Sequence, residues 1–355
     1  MTRPLVTVLI DTYNHERFIE QAIESVLRQD FPRQDTEVMV VDDGSTDATP
    51  ELVQKFAPRA RLLRKANGGQ ASAFNAAIPE ARGEIIAFLD GDDWWEPRKL
   101  VRVVETMQAN PDAGLVGHAV TEVYANGKHY TESLRETSRL RLNSLAGARL
   151  FRVRRNFLGT SRMTLRAAVL KQVLPVPEAL RFEADEYITA VAAVFADVLI
   201  LPEALTFYRL HDANQFLLTA ADHEGLRRKQ QVLAALAAAL RSKLLQIGLA
   251  EEIFRLLTDL IQAEADQLRL TLDGGLPWET AKTELALYRA LHEGAPLAHR
   301  IFKYATLAPA LFLPPRLFYG ARRRITQNSS YLRARKKWLP VPQPEHVARS
   351  WKTGS

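Results

Sequence analysis

Glu84-Ile85-Ile86-Ala87-Phe88-Leu89-Asp90-Gly91-Asp92-Asp93 decides the reading of this chain. Five consecutive apolar residues, two of them β-branched, describe a strand buried on both faces. The run ends abruptly in three carboxylates around a glycine. Carboxylates that leave a buried strand need water, a cation or hydrogen-bond donors. Upstream, Leu5 to Ile10 is a second such run, ending in Asp11-Thr12-Tyr13-Asn14, and Glu37 to Val41 is a third, ending in Asp42-Asp43-Gly44-Ser45-Thr46-Asp47.

Between these runs the spacing turns helical. Phe18, Ile19, Ala22, Ile23, Val26 and Leu27 share one face, and Pro50 to Phe56 and Ala71 to Ile78 predict two more helices. Ala60 to Leu63 predicts a short strand, followed by a turn at Asn67-Gly68-Gly69. Alternating strands and helices predict an α/β fold with a mostly parallel sheet flanked by helices. Ligands of such sheets sit beyond the carboxyl ends of the strands. All three acidic clusters fall there.

An isolated Asp-x-Asp is more often a solvated turn than a metal site. The ordered set of motifs changes that balance. Val8-Leu9-Ile10-Asp11-Thr12-Tyr13-Asn14, Val40-Val41-Asp42-Asp43-Gly44-Ser45-Thr46-Asp47, Asn67-Gly68-Gly69 with Asn75, the Gly83 to Asp93 run with Trp95, Pro97 and Leu100, then Asp185 and Phe207-Tyr208-Arg209-Leu210-His211 occur in sequence over about the first 215 residues. In this the chain resembles the family 2 glycosyltransferases, which have a Rossmann-like GT-A fold and act by inversion. Gln-x-x-Arg-Trp, carried by processive members, is absent from the sequence, so the resemblance is to the type that adds single sugars.

The resemblance implies roles. Thr12, Tyr13, Asn14 and Asn67 would line the nucleotide-sugar pocket, and Asp42 would accept a hydrogen bond from the base. Asp90 would hold ribose or support the metal shell, and Asp92 would be the main ligand of Mg²⁺ or Mn²⁺. Asp93 is expected to cap the next helix. His211 would reach the diphosphate or complete the metal shell, and Arg209 would pair with the diphosphate or a carboxylate. Asp185 matches the catalytic base. The family often has Glu-Asp there, whereas Ala184 precedes Asp185 here, so Glu183 stands as the reserve candidate. A solvated helix start is the structural alternative for this acidic cluster.

These roles imply transfer from a nucleotide-diphosphate sugar, with uridine preferred, to a hydroxyl of a glycan or lipid-linked saccharide. A nucleotidyltransferase would want a glycine-rich, basic loop after the first strand, and a dinucleotide oxidoreductase Gly-x-Gly-x-x-Gly; neither is present. The remaining alternative is a degenerate, non-catalytic GT-A protein that binds glycans.

The expected organisation is a catalytic domain over residues 1–215, a helical extension over 216–296 with a break near Gly248, and an apolar and basic tail over 297–355. With no cysteine, thiolate chemistry and disulfides are excluded. The first residues lack a leader-like apolar run, and no stretch of about 18 apolar residues occurs. The expected location is the cytoplasm, with peripheral contact on the inner face of the cell membrane. That contact is assigned to the tail, where Ile301, Phe302, Leu307, Leu311, Phe312, Leu313, Leu317, Phe318 and Tyr319 adjoin Arg316 and Arg322 to Arg324. A core helix docking on the catalytic domain, followed by a solvated basic face, is the other reading of the tail. No nucleic-acid-binding module is recognisable.

Overall fold

A computed structural model describes residues 4–154, 158–211, 222–292 and 297–327. The chain divides into two compact units, one of Met1–Asn214 with Lys243–Leu249 and the other of Gln215–Ser242 with Ala250–Ser355.

The first unit is built on one mixed sheet. Its strands are β1 (Val6–Thr12), β2 (Thr36–Asp42), β3 (Arg61–Arg64), β4 (Ile85–Asp90), β5 (Trp94–Trp95), β6 (Ala113–Tyr124), β7 (His129–Thr131), β8 (Ser138–Leu140), β9 (Thr164–Arg166) and β10 (Asp197–Leu210). They lie in the order β3-β2-β1-β4-β9-β6-β10-β5, with β7 beside β6 and β8 beside β10. β1 to β4 run parallel, as the alternation of elements predicts. β9 is antiparallel to both neighbours and joins this half to the parallel pair β6 and β10.

The helices of this unit are α1 (Ile19–Leu27), α2 (Thr49–Gln54), α3 (Gln70–Ala77), α4 (Lys99–Ala109), α5 (Leu145–Arg154), α6 (Ala167–Val173) and α7 (Ala184–Phe195). Val8, Ile10, Ala87 and Leu89 pack with Ile19, Ile23, Leu100 and Val103 on one side of the sheet. Burial of these side chains favours the folded state by about 1.5–3 kcal/mol each before the entropy of ordering is set against it.

Register fixes the acidic clusters. Asp11 lies opposite Asp90 across β1 and β4, and Thr12 lies opposite Asp42 across β1 and β2. The pairing of β10 with β6 is irregular. While β6 goes from His118 to Val120, β10 goes from Leu201 to Thr206, so three extra residues bulge out. Pro202, which cannot donate to a ladder, sits in that bulge.

The second unit is helical. α8 (His223–Ile247), which the unit boundary cuts, precedes α9 (Glu251–Asp273), α10 (Pro277–His292), α11 (Leu297–Leu307) and α12 (Pro315–Gln327). The break expected near Gly248 falls between α8 and α9, where Gly248 has φ +83°. The part of the tail after residue 327, including Arg333, Arg335, Lys336 and Lys337, lies outside the described residues.

Candidate active site

The carboxyl ends of β1, β2 and β4 carry the predicted donor-site residues. Tyr13 and Asn14 are exposed, and Asn14 takes φ +56°. That backbone turn lets Asn14 bridge two loops: its N–H donates to Ser45 Oγ at 2.9 Å, and its Oδ1 accepts from Thr46 N–H at 2.8 Å. Thr12 is buried, with Oγ1 3.2 Å from His15 Nδ1.

The two aspartates after β2 divide their work. Asp42 is buried and accepts from Ser45 N–H at 3.0 Å through Oδ1. Its Oδ2 is buried and lies 3.2 Å from Arg64 Nε, with no partner in hydrogen-bond geometry. Asp43 organises the glycine turn. It accepts from Lys65 Nζ at 2.7 Å, from Gly68 N–H at 3.0 Å and from Gly69 N–H at 2.6 Å. Asn67 is exposed on this turn, and its Oδ1 accepts from the Arg181 guanidinium.

Of the four carboxylates at the ends of β1 and β4, Asp11, Asp90 and Asp93 are pushed up, chiefly by burial, and Asp92 alone is held low. Burial and the charge of Asp92 push the Asp11 carboxyl up to about 7, although its hydrogen bond with Asp90 opposes the shift. Burial, with the charges of Asp11, Asp93 and Asp92, pushes Asp90 well above the usual carboxylate range. Such crowded carboxylates cannot all ionise in a low-dielectric setting. Asp92 goes the other way. Burial raises it, but a hydrogen bond from His211 and the charges of His15 and His211 outweigh burial and hold it below the ordinary value. The Asp92 Oδ2 to His211 Nε2 distance is 3.0 Å, and His15 Nε2 is 4.0 Å away.

Asp93 was expected to cap the next helix, and the structure corrects this. α4 begins only at Lys99, and its first turn is served by Gln29, whose Oε1 accepts from Leu100 N–H at 2.9 Å. Asp93 instead faces inward, accepting from Ser161 Oγ at 2.6 Å and from Arg209 N–H at 2.9 Å. It thereby ties the acidic turn to β10. Arg209 fastens the same joint. Its Nε donates to the Asp92 carbonyl at 2.9 Å and its NH2 to Gln21 Oε1 at 2.6 Å, with the guanidinium over the rings of Phe18 and Trp94.

Ser161, absent from the sequence reading, is the hub of this region. Its carbonyl accepts from Lys99 Nζ at 2.7 Å, Thr206 Oγ1 at 2.8 Å and Trp95 Nε1 at 3.2 Å. Its hydroxyl also accepts from Asp90 N–H at 3.0 Å. Lys99 has no exposed surface, and burial drives its ammonium well below the usual lysine range. One signal was visible beforehand: a lysine in the first turn of a helix opposes the helix dipole and so invites a special reason.

Asp185 lies near the start of α7, half-buried. Its Oδ2 accepts from the backbone N–H of Thr160 at 3.0 Å and from the Thr160 hydroxyl at 3.3 Å, and its Oδ1 accepts from Glu186 N–H at 2.7 Å. Burial raises the carboxyl to about 6 against these hydrogen bonds. Gln70 holds both walls. Its Nε2 donates to Thr160 Oγ1 at 2.8 Å, and its Oε1 accepts from Ala184 N–H at 3.0 Å. Glu183 sits just before α7 in the left-handed region, at φ +64°. Asp185 is near enough to the other cluster for its charge to raise both Asp11 and Asp90.

These features fit a hard divalent cation. The donor set is oxygen and imidazole, Asp11 Oδ1 is buried without a partner, and the crowding that opposes ionisation of Asp11, Asp90 and Asp93 is what a bound cation would relieve. Among the described residues no group of three or more Asp, Glu or His converges to hold an ion unaided. A substrate diphosphate completing the shell is the usual solution for Mg²⁺.

Comparisons with known proteins place the chain in a family. Residues 7–172 match the family model described as glycosyl transferase family 2; Asp185 and His211 lie beyond the matched stretch. An uncharacterized glycosyltransferase of Nostoc sp., alr2836, is 34% identical over 240 residues, which is 64% of this chain and 71% of that one. Other curated relatives are spanned over less than half of their lengths. Among solved structures, S. aureus TarS 1-349 in complex with UDP-GlcNAc superposes with a TM-score of 0.59 at 23% identity, covering 86% of this chain and 90% of that one. The mannosyltransferase PcManGT from Pyrobaculum calidifontis, in complex with GDP-Man and Mn²⁺, gives 0.51 at 23% identity, covering 95% and 88%. At those identities the structures show the GT-A fold, and the longer sequence match shows the rest: the chain belongs to glycosyl transferase family 2, and it is a glycosyltransferase.

Proposed function

We propose that this chain transfers a sugar, with inversion, from a nucleoside-diphosphate sugar to a hydroxyl of a glycan or lipid-linked saccharide. The observation that carries the reading is the meeting of Asp90, Asp92 and His211 at one strand end, with the Asp185 carboxylate close by. Uridine is the preferred base. TarS in complex with UDP-GlcNAc and PcManGT in complex with GDP-Man bind donors of this class on the same fold.

In this reading Tyr13, Asn14 and Asn67 bound the nucleoside, and Asp42 accepts a base N–H. Asp90 takes a ribose hydroxyl. Asp92 and His211 would hold Mg²⁺ or Mn²⁺ against the diphosphate, where the ion supplies charge neutralisation to the leaving group. Asp185 accepts the acceptor's hydroxyl proton as the new bond to the anomeric carbon forms. The bond to the diphosphate breaks, and its electron pair leaves on the phosphate oxygen. Attack from the opposite face inverts the anomeric centre. With its pKa raised to about 6, Asp185 is largely ionised at neutral pH yet more basic than an exposed aspartate. Work at the inner face of a membrane, with peripheral contact, belongs to the same proposal.

The test is calorimetric titration with UDP, dTDP and GDP, with and without Mn²⁺, on wild type and Asp92→Ala. Metal-dependent binding of one nucleotide, weakened by the substitution, supports the reading and names the donor. A folded protein that binds none of the three overturns it.

A further inference from the structure

The apolar residues of the C-terminal helices fall into two sets. Ala310, Phe318 and Tyr319 turn inward and pack with Leu270 of α9. This face of the tail packs within the helical unit, on α9. Leu311, Phe312 and Leu317 stay outside, Phe312 with 79% of its surface exposed.

A second segment joins them. The Arg316 guanidinium donates to the Leu272 carbonyl at 2.7 Å, and its side chain lies against Gly274. The turn after α9 is thereby held beside the start of α12. This turn leads into Leu276 and Trp278, which are 57% and 56% exposed. Two chain segments thus present a tryptophan, a phenylalanine and leucines to the outside at one end of this unit.

The sequence of the last two helices carries charge of one sign. Residues 297–327 contain Arg300, Lys303, Arg316, Arg322, Arg323 and Arg324, and no aspartate or glutamate. An exposed apolar set marks a partner surface. Acids lie on the other segment, where Glu279 follows Trp278 and pairs with Arg269, and Glu284 pairs with Arg322; an exposed tryptophan and phenylalanine held beside a segment that itself carries only cations match the interfacial zone of an anionic bilayer. α11 and α12 have 11 and 13 residues, too short to span the hydrocarbon core, so the contact is with the surface.

We propose that the α9–α10 turn and the start of α12 form one anchor that inserts Leu276, Trp278, Phe312 and Leu317 into the interface of an anionic membrane. The inference rests on the peripheral membrane contact proposed above, which it assigns to named residues, and is independent of the donor-site reading. It also differs from an anchor made of the tail alone, because Trp278 takes part.

The experiment is vesicle co-sedimentation of the full chain, with phosphatidylcholine alone and with about one-third phosphatidylglycerol added. Binding is expected only to the anionic vesicles, and it should weaken as salt rises. Phe312→Ser with Leu317→Ser, and separately Trp278→Ser, should each lower the partition coefficient about tenfold or more while thermal melting and nucleotide binding stay as in wild type. Three results overturn the proposal. One is no binding to either vesicle, and another is binding unaffected by Trp278→Ser. The third is self-association, seen by sedimentation velocity and abolished by the same substitutions, without lipid binding. Failure of wild type to bind nucleotide would count against the donor site only.

Discussion

His211 Nε2 lies 3.0 Å from Asp92 Oδ2, although 119 positions separate the two in sequence. The fold therefore brings the carboxylate and the imidazole into direct contact. Asp92→Ala should abolish the Mn²⁺ dependence of nucleotide binding and lower kcat about 100-fold or more, because charge on the leaving diphosphate is left uncompensated. His211→Ala should weaken Mn²⁺-dependent binding about tenfold, as loss of one supporting ligand does. Calorimetry with and without the ion checks both.

Asp185 should set the acidic limb of the pH profile. A base works only when ionised, so kcat/KM should rise with pH and level off above about 6, where burial has placed this carboxyl. Asp185→Asn should lower kcat about 10²–10⁴-fold with nucleotide affinity unchanged. Thr160→Val removes a hydroxyl that stabilises the ionised form, so it should move the limb to higher pH. A limb that stays in place would assign the titration elsewhere.

Lys99→Met tests the hub at Ser161. The substitution keeps the length of the side chain but leaves the Ser161 carbonyl with one donor fewer, and it removes a cation held over the Trp95 ring at 3.7 Å. The expected loss is about 2 kcal/mol, read as a fall in Tm of about 5 °C. Ser161→Ala should cost less stability but more nucleotide affinity, since its hydroxyl bridges the carboxyls of Asp90 and Asp93.

Gly69→Ala addresses the glycine turn. Gly69 has φ +86°, and a Cβ there would come within 2.6 Å of Arg181 Cα. Backbone cannot give way as a flexible side chain can, so the turn must shift and the bonds to Asp43 must loosen. Reduced nucleotide affinity is expected, together with greater proteolytic sensitivity around residues 65–70. Asp43→Ala should produce the same phenotype from the other side of the contact.

Much of the fold was legible because β1, β2 and β4 are buried on both faces, and continuous Val, Ile and Leu runs mark such strands. Their carboxyl ends could be read as the site for the same reason. β9 and β5 were not legible: each is too short to show a period, and pairing across the sheet defines them. The inward turn of Asp93 was missed because its partners, Ser161 and Arg209, are remote in sequence. Local pattern favours the nearest use of an aspartate, a helix cap, and only the tertiary fold offers the alternative. Gln70 and Thr160 carry no local signal, since glutamine and threonine are common on any surface.

The bulge in β10 acts as a spacer of fixed length. Three extra residues between Leu201 and Thr206 decide how far along the sheet Arg209 and His211 arrive. Each strand residue advances the chain by about 3.3 Å and alternates the face it presents. Deleting one residue of the bulge would carry the imidazole away from Asp92 and turn it to the opposite side of the sheet. Within residues 202–205 the chain should therefore tolerate changes of identity far better than changes of number.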